Sequence, residues 1–330
     1  MKAALYCGPR DIKVTDVPTP EIKATEALVQ VKACGICGSD LHAYRIGLFE
    51  DSLGRLTEHG LIMGHEWSGE ILEVGSEVDR LQIGDRVTGG GMGGFAELLP
   101  IEVDDNRPYC LPDTIGFDEG AMMEPLATSV HAVGQAKPLD GQTVVILGVG
   151  IIGLGCIQVI RATADCRIIA VDRSTKRLEM ARQVGADDIV NLTETDPVEA
   201  VIELTGGAKP VERFGARGGN ADLVIDSAGA RVSSNQGLTM LKQQDGRLVL
   251  VALFEKQPEL DFNQVVRKQV TVQGTWAWKA DDYLQGIEFV RSGKIDRKPL
   301  ASHTFPLDQA AEAFAIQDEP DAAIKTLVKP

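Results

Sequence analysis

The spacing of apolar positions changes near the middle of this chain. Before about residue 125 it is short and strand-like. Val29-Gln30-Val31-Lys32-Ala33 alternates with period two, Ser68–Gly75 reads as a strand closing into a turn, and Gly84-Asp85-Arg86-Val87 as another turn and strand. This part predicts a compact β-rich domain. From Thr143 onward strands and helices alternate. Thr143–Leu147 is a buried-type strand that breaks at Gly148-Val149-Gly150-Ile151-Ile152-Gly153, after which Leu154, Ile157 and Ile160 recur at helical spacing. A second apolar run, Ile168–Val171, ends in Asp172. Ser174 is an expected N-cap for a helix carrying Leu178, Ala181 and Val184 that stops at Gly185. Further strands are expected at Asp188–Asn191, Ala221–Ser227, Arg247–Leu253 and Gln269–Trp276. Repeated βα units predict a doubly wound parallel sheet. Two helical stretches, Asp281–Arg291 and Leu307–Ile316, precede a final strand at Ala323–Val328. The glycines at 206, 207, 218 and 219 bracket an expected long loop.

A strand, a G-x-G-x-x-G turn, a helix and a strand ending in an acid make the dinucleotide-binding βαβ unit. Gly148 permits the tight turn, Gly150 lets backbone N–H groups approach a pyrophosphate, and Gly153 allows close packing of helix on strand. Ile151 and Ile152 open the helix whose N-terminus favours phosphate charge. Asp172 is placed to accept hydrogen bonds from an adenosine ribose and to repel a 2′-phosphate, which favours NAD over NADP.

Composition narrows the picture. The chain has 330 residues, 44% hydrophobic and 25% charged, with a formal net charge of −15 and no concentrated basic stripe. Nucleic acid is therefore a poor partner. No apolar run approaches the length of a membrane span. The start lacks a signal-like apolar region, and six unevenly placed cysteines suit a reducing cytoplasm.

The remaining chemistry lies upstream. Cys34-Gly35-Ile36-Cys37-Gly38-Ser39-Asp40-Leu41-His42 is followed by Gly64-His65-Glu66 and by Glu124-Pro125-Leu126-Ala127. Thiolate, imidazole and carboxylate are the ligand types of catalytic zinc, which keeps one position open. Taken singly each has an ordinary reading: a buried cysteine, a satisfied turn, the exposed end of a segment.

Together, G-I-C-G-S-D-L-H, G-H-E, G-D-R-V, E-P-L-A and L-G-V-G-I-I-G, in this order, resemble the zinc-dependent medium-chain alcohol dehydrogenase superfamily. The E-P-L-A form resembles the sorbitol and threonine dehydrogenase branch. The likeness implies an α/β protein with a GroES-like β-rich catalytic domain (1–124, returning at 276–330) and a doubly wound Rossmann coenzyme domain (125–275). It implies Cys37 and His65 as zinc ligands. Glu66 and Glu124 match the two acidic positions that ligate the metal or hold its water. Cys34 matches no ligand position. Ser39 and His42 match a proton relay, and Arg177 a ribose contact. Relatives commonly carry a structural zinc on a four-cysteine lobe after G-D-R-V. Here Thr88–Glu97 holds no cysteine, so a single catalytic zinc is expected.

The implied reaction is reversible oxidation of a polyol or other secondary alcohol to a ketone, with hydride passing to NAD. The resemblance also implies a homodimer or homotetramer. Two rival readings are a zinc-free NADPH-dependent quinone or enone reductase of the same superfamily, and a non-catalytic cofactor-binding protein. The Cys37, His65 and Glu66 set and Asp172 count against the first, and the intact ligand and relay residues against the second. Tyr44, Phe49, Trp67, Trp276 and Trp278 are aromatic candidates for shaping a pocket, though each reads first as core or interface.

Overall fold

A computed structural model describes residues 1–48, 55–57, 60–207, 218–319 and 321–330. Phe49 and most of the expected 206–219 loop lie outside the described residues. The chain divides into two compact units, one formed by Met1–Pro125 with Tyr283–Pro330 and the other by Leu126–Asp282.

In the first unit the strand Glu26–Gly35 is central to a seven-stranded sheet. The order runs Ala301–Pro306, Lys325–Lys329, Glu26–Gly35, Glu66–Val74, Arg86–Gly89, Tyr109–Cys110, with Leu98–Glu102 also pairing Glu26–Gly35. Val29, Val31 and Ala33 are buried while Gln30 and Lys32 are half-exposed, as the period-two pattern requires. A second sheet joins Asp11–Asp16, Lys2–Gly8, Gly60–Ile62 and Arg55–Thr57. The core beneath holds Trp67, Phe95, Ile71, Leu99 and Phe314. Phe95 meets Phe314 edge-on at 5.4 Å, and burying a ring of that size contributes about 2–3 kcal/mol.

The cysteine-free Thr88–Glu97 stretch is glycine-rich because it presses on this core. A Cβ at Gly89 would come within 2.9 Å of the Trp67 ring, and one at Gly94 within 2.8 Å of Cys34 Sγ. Trp67 Nε1 donates to the Gly91 carbonyl at 2.7 Å.

Sheet register builds the site. Gly35 pairs Glu66 and Cys34 pairs Trp67 across one neighbour, while Leu327 pairs Gly35 across the other. The turn carrying Cys37 thus lies beside Glu66 and beside the C-terminal strand.

The second unit holds a six-stranded parallel sheet in the order Asp188–Asn191, Arg167–Asp172, Thr143–Leu147, Leu223–Asp226, Arg247–Leu250, Thr271–Gly274. Numbered along the chain this is 3-2-1-4-5-6, the doubly wound order, whose switch point falls between Thr143–Leu147 and Leu223–Asp226. Val145, Leu147, Ile169, Val171, Val224 and Leu248 fill its core. Ser174 caps the helix Thr175–Gln183, accepting from Arg177 N at 3.4 Å, and Gly185 at φ 122° ends the segment.

Some elements differ from the sequence expectations. The stretch from Leu307 opens as a single 3-10 turn, Leu307–Gln309, before the helix Ala310–Asp318. Helices Met123–Ala136, Pro197–Leu204, Ser233–Met240 and Phe262–Lys268 are additions to the expected set.

Candidate active site

Cys37 occupies the N-cap position of the helix Gly38–Ile46, whose Leu41 N–H donates to the Cys37 carbonyl. Asp40 closes the turn from the other side: its Oδ2 accepts from Cys37 N at 3.0 Å. A short helix thereby locks the backbone that presents the Cys37 sulfur. Glu66 opens the adjacent strand Glu66–Val74, and His65 immediately precedes it. One ligand atom each from Cys37, His65 and Glu66 falls within 4.8 Å of the others, the one such group among the described residues.

His65 Nδ1, Glu66 Oε1 and Asp40 Oδ1 are buried and make no hydrogen bond. Buried polar atoms in that condition are costly, so three of them on these neighbouring residues call for compensation. Burial opposes a charge on His65, yet the Cys37 sulfur, Asp40 and Glu124 outweigh it and hold the imidazole well above its ordinary pKa. The field of the cluster demands a cation. Sulfur, nitrogen and oxygen donors at this separation fit zinc, with Asp40 Oδ1 standing 3.8 Å behind His65 Nδ1 as an electrostatic support rather than a hydrogen bond.

Glu66 is held on its other side. Its Oε2 accepts from the buried Lys325 Nζ, which also donates to the Ile36 carbonyl at 2.7 Å. A Cβ at Gly35 would stand 2.3 Å from that same Oε2, so only glycine leaves the carboxylate its place. Sequence reasoning missed Lys325. The signal for it is a lysine inside an otherwise apolar C-terminal run, which needs a buried carboxylate partner.

Glu124 lies in the first turn of Met123–Ala136 and is half-buried. Its charge reaches His65, but its oxygens fall outside the 4.8 Å group. Ser39 and His42 are both half-buried and stand three apart on the helix Gly38–Ile46, hence on one face. Cys34 is fully buried, and burial pushes its thiol well up, as suits an inert core residue. Trp67 and Tyr44 belong to the core, whereas Trp276 is 71% exposed.

In the second unit Gly148 takes φ +80°, and a Cβ there would lie 2.7 Å from Ala228 Cα. Gly153 would place a Cβ 2.1 Å from the Gly148 carbonyl, while nothing lies within 4 Å of one on Gly150. The turn is closed behind and open in front, where Gly150 caps the helix Ile151–Thr163 and bare N–H groups face outward. Ile151 and Ile152, half-buried, form its first turn. Asp172 does more than end its strand. Its Oδ2 accepts from Val149 N at 2.7 Å and its Oδ1 from Ser174 N at 2.9 Å, which ties the glycine turn to the next strand. Ser227 braces the same turn, donating to the Gly148 carbonyl at 2.6 Å. Arg177 is half-buried beside it in sequence.

Known proteins place this arrangement. The alcohol dehydrogenase GroES-like domain family matches residues 23–138, and the zinc-binding dehydrogenase family matches residues 152–292. Sorbitol dehydrogenase of Bacillus subtilis is 31% identical, covering 100% of this chain and 97% of its own. D-xylulose reductase of Saccharomyces cerevisiae is 30% identical, over 97% of this chain and 95% of its own. The crystal structure of 2R,3R-butanediol dehydrogenase from Bacillus subtilis matches with TM-score 0.85 at 30% identity, over 100% of this chain and 99% of that one. A likeness that runs the length of the chain, together with a GroES-like unit bearing the metal donors and a Rossmann-type parallel sheet, shows that the chain belongs to the zinc-dependent medium-chain alcohol dehydrogenase superfamily, in its sorbitol dehydrogenase-like branch.

Proposed function

We propose that Cys37, His65 and Glu66 hold one zinc ion, with Glu124 as the alternative carboxylate, and that the chain oxidises a polyol or other secondary alcohol to a ketone. The chemistry zinc and NAD supply when bound is polarisation of an alcohol oxygen and acceptance of a hydride. The protein residues do the rest. Asp40 and Lys325 hold His65 and Glu66 in their rotamers. Gly148, Gly150 and Gly153, with Ile151 and Ile152, leave backbone N–H groups open to a pyrophosphate. Asp172 and Arg177 face the adenosine ribose, and the Asp172 charge disfavours a 2′-phosphate. The Ser39 hydroxyl accepts the alcohol's proton while passing its own to the His42 imidazole, which hands it on to solvent.

The observation that carries this reading is the gathering of sulfur, nitrogen and oxygen donors within 4.8 Å around buried polar atoms that have no other partner. We also infer a cytoplasmic homodimer or homotetramer. Six free cysteines suit a reducing compartment, and no helix among the described residues is long and apolar enough to cross a membrane. The test is an initial-rate panel of sorbitol, xylitol, threonine and 2,3-butanediol with NAD and with NADP. Reduction of NAD by a polyol or vicinal diol is expected. Enone reduction with NADPH alone, or cofactor binding without turnover on any alcohol, would contradict it.

A further inference from the structure

Tyr283 is fully buried in the unit that carries Cys37, His65 and Glu66. Its hydroxyl lies 2.9 Å from Thr88 Oγ1. The same Thr88 oxygen is 2.9 Å from the Trp67 carbonyl and 2.7 Å from the Gly120 carbonyl. Carbonyls only accept, so the single Thr88 proton goes to them and the phenol donates to Thr88. Burial first, then Glu124 and Glu66, push the phenol well above its ordinary pKa against the pull of Thr88, and it remains an O–H donor.

Both carbonyls belong to segments that lead to the candidate site. Trp67 directly follows Glu66 on the strand Glu66–Val74, and Gly120 ends the turn Phe117–Gly120 that runs into Glu124. The two segments are already in hard contact, since a Cβ at Gly120 would sit 2.8 Å from Ser68 Cβ. The Tyr283 ring stacks on Tyr109 at 4.1 Å and 7°, and Tyr109 pairs with Thr88 across the sheet. The phenol is therefore fixed in direction as well as buried.

We propose that Thr88 and Tyr283 are positioning residues for the metal site, their paired hydroxyls fixing the spacing between the strand opened by Glu66 and the turn that delivers Glu124. This rests on the zinc reading above. Removing either hydroxyl leaves a main-chain carbonyl or a buried oxygen short of a bond and lets the two carboxylate-bearing segments shift against each other. Outer partners of metal sites typically alter metal affinity about 10- to 100-fold.

The experiment uses zinc-loaded enzyme and the variants Thr88→Val, Thr88→Ser and Tyr283→Phe, with Cys37→Ser as reference. Zinc release to a colorimetric chelator is timed, and NAD affinity and melting temperature are measured alongside. Thr88→Val and Tyr283→Phe are expected to release zinc about 10- to 100-fold faster, Thr88→Ser within about twofold of wild type, and all three to bind NAD normally. Lower melting temperatures with unchanged zinc release would overturn the proposal, as would Thr88→Ser behaving like Thr88→Val. Should Thr88→Val fail to fold, Tyr283→Phe, which keeps the stacked ring, decides the matter. Wild type that binds no zinc, or Cys37→Ser that holds it as firmly as wild type, overturns the site assignment itself and this proposal with it.

Discussion

Asp172 braces the glycine turn. Both of its oxygens accept from backbone N–H groups, of Val149 and of Ser174, and the side chain is buried. Each oxygen keeps a lone pair for a ribose hydroxyl, so the carboxylate can organise the glycine turn and receive the nucleotide together. Asp172→Asn tests this, because an amide offers one acceptor oxygen where two donors wait. One buried N–H then loses its partner, at about 1–3 kcal/mol. The expected result is a lower melting temperature together with weaker NAD binding. An unchanged melting temperature with weaker NAD binding would limit Asp172 to ribose recognition. At this scale Cys37, His65, Glu66 and the three glycines stand out in the sequence because their chemistry is bound to a local motif. Lys325 does not, since its partner is set by sheet register: Gly35 opposite Glu66 on one side, Leu327 opposite Gly35 on the other.

Among the elements, the helix Ser233–Met240 and its successor Phe262–Lys268 are joined by an unusual cap. Lys268 is buried, and its Nζ donates to the carbonyls of Leu238, Thr239 and Leu241 at 2.6, 2.9 and 2.8 Å. A cation at a helix C-terminus is favourable, but burial still draws the Lys268 pKa down from its ordinary 10.5 to about 8. Below pH 8 both folded and unfolded chains carry the charge, and its burial cost is fully present. Between about 8 and 10.5 the folded chain binds fewer protons, so this group's contribution grows more favourable as pH rises, by about 2 kcal/mol after solvent screening. Urea unfolding of wild type and Lys268→Met across that range isolates the effect. The stability of wild type relative to the variant should climb with pH; a flat or falling difference would contradict it. Period and capping make the strands Thr143–Leu147 and Arg167–Asp172 and the Ser174 cap legible. Capping also makes a short helix legible at Gly38–Ile46, where Ser39 or Asp40 reads as a cap, although the N-cap is Cys37 and Asp40 closes the box from the third helical position. Ser233–Met240 is hidden: two serines and a glycine carry little helical signal, and the helix is held by packing against Leu223–Asp226 and by both serine hydroxyls donating to Asp226 Oδ2.

For the whole molecule, the division of labour between its two units is the decisive feature. The clustered Cys37, His65 and Glu66, proposed to hold zinc, lie in Met1–Pro125 with Tyr283–Pro330; the glycine turn and Asp172 lie in Leu126–Asp282. The two sets of residues belong to separately packed units, each with its own core. Loss of one ligand should therefore leave the other ligand's affinity intact, a separation that a single misfolded domain would not give. The direct measurement is zinc content by elemental analysis, paired with NAD titration, on wild type and Cys37→Ser. Wild type should carry stoichiometric zinc and turn over a polyol or diol. Cys37→Ser should lose both while binding NAD within about twofold of wild type, a difference under about 0.5 kcal/mol. A Cys37→Ser protein that keeps its zinc and its turnover would contradict the central claim.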